Sequence, residues 1–258
     1  MHNEVHKEAH KAGDSIPQEF DLFISDLHLC ADRPEITSSF LGFLNNTSSQ
    51  ARALYILGDL FEYWAGDDEV EDDHHQQVVV ALRALTESGV NVYIMHGNRD
   101  FLIGSDFCNI ANVKLLTDPT IIDLFGTKTL LSHGDALCTD DVAYQTFREQ
   151  VRNPKWQADF LSQPLATRKH QIEAIRLRSE QEKSDKTAEI MDVNNEAVAS
   201  VLADFDYPPR LIHGHTHRPN KHAILLDGHH ITRWVLGDWY EQGSYLRCDH
   251  YGCKSMGL

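Results

Sequence analysis

Short apolar runs alternate with longer amphipathic stretches through much of the chain. Runs that suit buried strands cover residues 20–24, 53–57, 90–95, 127–131 and 211–212. Apolar side chains recur at helical spacing over 35–45 and 74–87, between the first three of these runs. A strand, a helix and a further strand in succession are typical of a sheet with parallel strands. The pattern therefore predicts an α/β fold.

The alternation of strand-like and helix-like segments stops in the second half of the chain. Residues 140–207 are helix-like almost throughout, and β-like runs return afterwards, with the turn-forming pair Asp227-Gly228 between two of them. The first 19 residues are polar, carry several histidines and lack the apolar segment of a signal peptide. We therefore expect a flexible tail over 1–19, a core over 20–139 and 208–258, and a helical cap inserted over 140–207.

The composition excludes several classes of protein. Hydrophobic residues make up 41% of the 258 residues, which is enough for a packed core. The formal net charge of −16 argues against a nucleic-acid-binding surface, because such a surface needs a basic face. An anionic substrate must therefore be attracted locally, by metal ions or by clustered basic side chains. The five scattered cysteines predict no disulfide framework and favour a reducing compartment such as the cytoplasm.

Side chains that commonly bind metal ions follow the predicted strands. They are Asp26 and His28, then Asp59, Asn98 and His133, and finally His215 and His217. Open α/β sheets place their sites at the carboxyl ends of their strands. We therefore expect these side chains to converge.

The chemistry of these residues indicates a pair of metal ions. Asp26 and His28 are two residues apart, and in extended backbone such side chains face the same way and reach one ion. Asp59 has two carboxylate oxygens and can bridge two ions. Nitrogen and oxygen ligands without a thiolate suit Mn²⁺, iron or Zn²⁺. Two ions about 3.5–4 Å apart clamp the attacking and leaving oxygens of phosphoryl transfer.

The residues that follow Asn98 extend this site. The Arg99 guanidinium is placed to bind the non-bridging phosphoryl oxygens, which gain charge in the transition state. Asp100 is placed to contact one of the metal-binding side chains and orient it, without binding the metal itself. Singly, each of these residues has an ordinary explanation as a turn or capping residue or a surface histidine. Their recurrence after successive apolar runs favours a site.

The same residues resemble the motifs of the calcineurin-like metallophosphoesterases. Those motifs are D-x-H, G-D, G-N-[HR]-[DE], a single H and G-H-x-H. Here they read Asp26-Leu-His28, Gly58-Asp59, Gly97-Asn98-Arg99-Asp100, His133 and Gly214-His215-Thr-His217. The resemblance implies a β-sandwich flanked by helices. It implies one metal ion held by Asp26, His28, Asp59 and His217, and a second held by Asp59, Asn98, His133 and His215.

Longer matches resemble the UDP-2,3-diacylglucosamine diphosphatase branch of this superfamily. They include Gly58-Asp59-Leu-Phe-Glu-Tyr-Trp64, His133-Gly-Asp-Ala-Leu-Cys-Thr-Asp-Asp141 and Ile190-Met-Asp-Val-Asn194. The branch implies hydrolysis of the diphosphate of UDP-2,3-diacylglucosamine to UMP and 2,3-diacylglucosamine 1-phosphate (lipid X) in lipid A synthesis. It also implies two Mn²⁺ ions, attack of water on the α-phosphorus, and Asp59 and Arg99 as catalytic residues.

The resemblance further implies where the substrate binds. Its contact positions correspond to Asn98, Arg99, Asp141, Ser179, Lys186 and His215, and to Lys183 where the branch often has Asn. The cap would grip the acyl chains and the glucosamine. We expect a monomer that binds no nucleic acid and associates peripherally with the anionic cytoplasmic face of the inner membrane.

Two other functions stay open at this stage. One is a dimetal phosphoesterase that acts on a soluble nucleotide or phosphoester, and the other is a scaffold on this fold that has lost catalysis. The intact ligands and Arg99 disfavour the scaffold, and the large apolar insertion favours a lipid-linked substrate. Elsewhere, we interpret the acidic run 62–73 as a solvated loop and helix start, with a negatively charged rim beside the site as the alternative, and Trp64 and Trp239 as core aromatics.

Overall fold

Strands and helices alternate along most of the computed structural model, which describes residues 19–185, 190, 192–241 and 243–258, with the backbone alone over 178–185. The strands are β1 Asp21–Ile24, β2 Ala53–Leu57, β3 Asn91–Met95, β4 Lys114–Leu116, β5 Thr120–Leu124, β6 Thr127–Ser132, β7 Arg210–His213, β8 Asn220–Leu226, β9 His229–Val235, β10 Ser244–Asp249 and β11 Gly252–Gly257. The helices are α1 Pro34–Asn46, α2 Asp73–Glu87, α3 Ser105–Ala111, α4 Val142–Arg152, α5 Pro154–Leu161, α6 Leu165–Asp185 and α7 Asn195–Asp204.

The strands form two mixed sheets. The first has the order β11-β10-β1-β2-β3-β4. Strands β1 to β4 are parallel to one another, β10 pairs antiparallel with β1, and β11 pairs antiparallel with β10. The second has the order β5-β6-β7-β9-β8, in which β6, β7 and β9 are parallel and the edge strands are antiparallel. The predicted α/β class and two-sheet architecture are confirmed.

Both faces of the first sheet are buried along β1, β2 and β3, which explains the apolar runs that form these strands. Along β1, Leu22 and Ile24 pack in the core beneath α1, α2 and α3, and Phe23 packs in the core shared with the second sheet. Successive side chains of a strand point to opposite faces, so a strand covered on both sides needs apolar residues throughout. Helix α7 covers the outer face of the second sheet through Val198 and Leu202. The sheets are therefore sandwiched between helices.

Most predicted elements occur within a few residues of their predicted positions. The runs 53–57 and 127–131 form β2 and β6, and Asp227-Gly228 joins β8 to β9 with φ values of 50° and 85°. Trp64 and Trp239 are buried core aromatics, as predicted. The sequence pattern missed β4, β5, β11 and α3. These elements are short or half exposed, so they carry too few apolar positions to show a period.

Two expectations hold only in part. Cys248 and Cys253 form a disulfide between paired positions of β10 and β11, although the scattered cysteines predicted no disulfide framework. In the acidic run, residues 71–73 are exposed and begin α2 as predicted, but Glu62 and Glu69 are buried and Asp67 accepts hydrogen bonds from backbone N–H groups at the start of α3. These contacts depend on which residues the fold brings together, and spacing along the chain does not reveal that.

Helices α4 to α7 lie between β6 and β7 in the chain, and ion pairs fasten α6 to the loop after β2. Lys169 Nζ lies 2.7 Å from Glu69 Oε1, and Arg176 Nη2 lies 3.0 Å from Glu62 Oε1. The acidic loop therefore anchors the insertion. Within the described part of the chain, no helix combines the length and apolar character needed to cross a bilayer.

Candidate metal centre and adjoining cavity

The side chains predicted to bind metal ions converge where strands of both sheets end. Asp26 and His28 follow β1, Asp59 follows β2, and Asn98 follows β3. In the second sheet, His133 follows β6, and His215 and His217 follow β7. The two sheets thus supply donors from opposite sides of one centre.

Left-handed backbone, not extended backbone, aims most of these side chains. The φ angle is 55° at Asp26, 51° at His28 and 53° at Asp59, and it is 70° at His215 and 54° at His217. Non-glycine residues rarely adopt such angles, and several together mark a functional site. The extended-backbone argument for Asp26 and His28 is therefore wrong, although both side chains, like those of His215 and His217, do point into the centre.

Asp100 ties together the loops that carry Asp59 and Asn98. Its Oδ1 accepts hydrogen bonds from the backbone N–H of Gly97 (2.8 Å) and of Asp59 (3.3 Å), and its Oδ2 accepts one from Leu60 (2.8 Å). A Cβ at Gly97 would collide with the Asp59 carboxylate, so glycine is needed for this close approach. Asp100 therefore orients Asp59 through the backbone.

A first cluster of donors surrounds His217. The ligand atoms of Asp26, His28 and His217 all lie within 4.8 Å of one another. His217 Nε2 is 3.4 Å from His28 Nε2 and 3.4 Å from Asp26 Oδ1. Asp59 Oδ2 is 3.7 Å from His28 Nε2. These four residues can surround one ion.

A second cluster surrounds the side-chain oxygen of Asn98. Asn98 Oδ1 lies 3.0 Å from His133 Nε2 and 2.8 Å from His215 Nδ1. Asp59 Oδ2 lies 3.9 Å from His133 Nε2. The carboxylate oxygen of Asp59 that faces His28 thus also faces this cluster, which is the position that a bridging ligand needs.

The charges of this centre fit divalent cations. Asp26 Oδ1 is buried and has no hydrogen-bond partner among the described residues. Burial raises the pKa of Asp59 to about 7. Burial opposes protonation of the histidines, yet the charge of Asp59 raises the pKa of His133 to about 9, and the neighbouring carboxylates of Asp238 and Asp26 raise that of His217 to about 10. The buried carboxylates thus need positive charge close to them, and metal ions bound to the same histidine nitrogens would supply it.

Two carboxylates that the sequence did not single out support the first cluster. Asp238 Oδ2 lies 3.0 Å from His217 Nδ1, and Glu62 Oε2 lies 3.5 Å from His28 Nδ1. A carboxylate behind a ligating imidazole fixes its tautomer and orientation. The sequence did contain one signal for Asp238. It stands in a Gly-Asp pair directly after the predicted strand 231–236, just as Asp59 stands in a Gly-Asp pair directly after the predicted strand 53–57.

We expect Asp238→Ala to lower the affinity for Mn²⁺ by roughly 10- to 100-fold, because His217 loses the partner that orients it. Calorimetric titration of metal-free protein with Mn²⁺ measures this loss directly. Asp204→Ala, at the exposed end of α7, is the matched control. Unchanged affinity in Asp238→Ala would contradict the supporting role.

Arg99 stands beside the metal centre and faces the adjoining cavity. Its backbone N–H donates to Asp59 Oδ1 at 2.8 Å, and its Nη1 lies 3.8 Å from Glu62 Oε1. The guanidinium is thus held beside Glu62, whose other carboxylate oxygen lies 3.5 Å from His28 Nδ1. Arg99 also lines the adjoining cavity.

The other predicted substrate contacts fall into three groups. Asn98 and His215 lie in the second cluster. Asp141 caps α4, where its side chain accepts a hydrogen bond from Tyr144 N at 3.1 Å. The side chains of Ser179 and Lys183 and the whole of Lys186 lie outside the described residues.

A cavity of about 390 Å³ opens beside Asn98 and Arg99. Its apolar lining comes from the loop after β3 and from α4, α5 and α6. These side chains include Phe101, Leu102, Phe147, Trp156, Phe160, Ile172 and Ile175. Glu62 and Arg176 also line it. The cavity therefore joins an apolar chamber to the polar metal centre.

Comparisons with known proteins agree with this geometry. The model of the calcineurin-like phosphoesterases matches residues 22–219. A UDP-2,3-diacylglucosamine hydrolase of Aromatoleum aromaticum is 52% identical over 231 residues, which cover 90% of this chain and 94% of that protein. A protein of the same name from Stenotrophomonas maltophilia is 51% identical over 237 residues, which cover 90% of this chain and 95% of that one.

Proposed function

This chain belongs to the calcineurin-like phosphoesterase family, and we propose that it is the hydrolase that splits the diphosphate of UDP-2,3-diacylglucosamine in lipid A synthesis. The products are UMP and 2,3-diacylglucosamine 1-phosphate, with attack on the α-phosphorus. Relatives that are about half identical along nearly their whole length carry this name. The structural observation that carries the proposal is the apolar cavity that opens directly onto a two-cluster metal centre.

The donor set suits two Mn²⁺ ions. Asp26, His28, Asp59 and His217 would hold the first, and Asp59, Asn98, His133 and His215 the second. When bound, such a pair supplies an activated water and neutralises phosphoryl charge. Asp59 Oδ2 lies between His28 and His133 and fixes the spacing of the two clusters.

Protein groups around the centre bind and orient the diphosphate. The Arg99 guanidinium donates hydrogen bonds to non-bridging oxygens of the α-phosphoryl group, where charge gathers as the bond breaks. Glu62 Oε1 holds Arg99 at 3.8 Å and Arg176 at 3.0 Å, so both guanidiniums stay close to the substrate. Arg176 also brings positive charge from the insertion to an otherwise acidic protein.

The apolar cavity selects the acylated sugar. Two acyl chains gain about 0.8 kcal/mol for each CH₂ group that leaves water, and a chamber lined by Phe147, Trp156 and Ile172 provides such a site. A soluble nucleotide or a simple phosphoester has no apolar part to fill this space. The cavity therefore favours the lipid-linked substrate over the soluble one.

We also propose that the enzyme works as a monomer on the cytoplasmic face of the inner membrane. Val142 and Leu177 on the insertion are 69% and 57% exposed, and Leu161 at the end of α5 is 40% exposed. The helices that carry them also line the cavity. Exposed apolar residues beside basic ones suit an anionic bilayer surface, from which an acylated substrate can enter.

Release of UMP tests the function directly. We expect the purified protein with Mn²⁺ to form UMP from UDP-2,3-diacylglucosamine at least about a hundred times more efficiently than from UDP-N-acetylglucosamine, because the acetylated sugar buries little apolar surface. Nucleotide products are separated by chromatography and kcat/KM is compared. No UMP, or equal turnover of both substrates, would refute the proposal.

A further inference from the structure

The ring of Tyr240 lies over the first ligand cluster, on a loop that follows β9. It stacks on the His28 ring with centroids 5.2 Å apart and an angle of 8°, and its centroid is 5.7 Å from that of His217. Despite these contacts Tyr240 is 43% exposed. Tyr240 is thus held in place at the edge of the metal centre, yet close to half of the residue is open to solvent.

Arg33 holds this ring from a second direction. Its guanidinium carbon lies 4.6 Å from the centroid of the Tyr240 ring. Its Nη2 is fixed by Glu62 Oε2 at 2.6 Å and by the carbonyl oxygen of His28 at 3.2 Å. The pair therefore presents an aromatic surface and a positive charge in a rigid arrangement. Such a combination is the usual platform for stacking a nucleobase and attracting its phosphate.

The position of this platform relative to the cavity indicates what it binds. The cavity is lined by Asn98 of the second cluster, by the insertion and by Glu62, which also holds Arg33, whereas neither Tyr240 nor Arg33 lines it. The α-phosphorus of the substrate carries the nucleoside on one oxygen and the acylated sugar phosphate on another. When the acylated part fills the cavity, the nucleoside must lie outside it.

We propose that Tyr240 and Arg33 form the subsite for the uridine of the substrate, with the uracil stacked on the exposed part of the Tyr240 ring. This inference rests on the proposed function. It assigns the two ends of the substrate to opposite flanks of the metal centre, the nucleoside to the first cluster and the lipid to the second.

Product inhibition separates the two flanks. We expect Tyr240→Ala to weaken inhibition by UMP about tenfold and to raise KM more than it lowers kcat, because a base–aromatic stack is lost. Inhibition by 2,3-diacylglucosamine 1-phosphate should stay within about twofold of wild type, since mutational effects on distant, independent contacts do not couple. Tyr240→Phe keeps the ring and should restore most of the UMP affinity, whereas Tyr240→Leu should not.

Two further measurements keep the result unambiguous. Tyr251→Ala removes a tyrosine that is 90% exposed on the β10–β11 turn and serves as the matched control. Calorimetric titration with Mn²⁺ reports whether Tyr240→Ala disturbs His28. An unchanged inhibition constant for UMP, an equal loss for both products, or a loss explained by weaker metal binding would each overturn the uridine subsite. If the wild-type protein releases no UMP, the proposed function itself fails.

Discussion

Replacing Asp59 by alanine should reduce UMP release at saturating Mn²⁺ by about a thousandfold or more, because a metal pair contributes several kcal/mol to phosphoryl transfer. Asp59 Oδ2 lies 3.7 Å from His28 Nε2 and 3.9 Å from His133 Nε2, so a single carboxylate serves both clusters. Its removal leaves neither cluster complete. Metal content measured on the dialysed variant should fall together with activity.

Asp59 is buried, so the variant needs controls for folding. Its Oδ1 also accepts the backbone N–H of Arg99 at 2.8 Å, and Asp59→Asn preserves this hydrogen bond while removing the charge. Asp159→Ala, on the exposed face of α5, is the matched control for loss of a carboxylate. Thermal unfolding of each variant shows whether the fold is intact. A folded Asp59→Ala protein that keeps more than about a tenth of wild-type activity would mean that the bridge is misassigned.

Replacing Arg99 by alanine should lower kcat by about 100- to 1,000-fold with little change in bound metal, because a donor to the transition-state charge is lost. The Arg99 side chain forms an ion pair with Glu62 at 3.8 Å, and its hydrogen bond to Asp59 runs through the backbone N–H, which alanine retains. Arg99→Lys should recover only part of kcat, since lysine lacks the two-pronged donor geometry of a guanidinium.

The kinetic pattern decides the role of Arg99. Single-turnover kinetics and metal analysis are compared with those of Arg83→Ala, which removes an exposed arginine from a surface pair on α2. A change confined to KM would place Arg99 in ground-state binding alone. Loss of metal in proportion to activity would show that its role is structural.

Much of the fold was predictable because burial leaves a direct trace in the chain. The runs at 20–24, 53–57 and 90–95 are apolar except for Asp21 and Asn91, and β1, β2 and β3 prove to be covered on both faces. Elements that are little buried have no such apolar run in the sequence. The three-residue strand β4 and the half-exposed β5 were therefore missed.

The sequence by itself determined the chemical class of the site. Ligand type depends on residue identity, and Asp26, Asn98 and His217 each follow a predicted strand, so a common centre could be expected from the sequence alone. Their detailed geometry was not predictable. The φ angles of 55° at Asp26 and 54° at His217 are imposed by the surrounding fold, against the local preference of these residues.

Only the tertiary structure decided which groups support the ligands and where the substrate fits. Asp238 and Glu62 became supporting carboxylates because packing brings them to His217 and His28. The cavity is space left between the insertion helices and the core, and the exposure of Tyr240 is likewise a result of packing. Such properties depend on residues distant in sequence, so spacing along the chain does not encode them locally. The chemical type of each residue follows from the sequence. The volume of the cavity, the exposure of a side chain and the carboxylates that support the ligands are defined only in the folded chain.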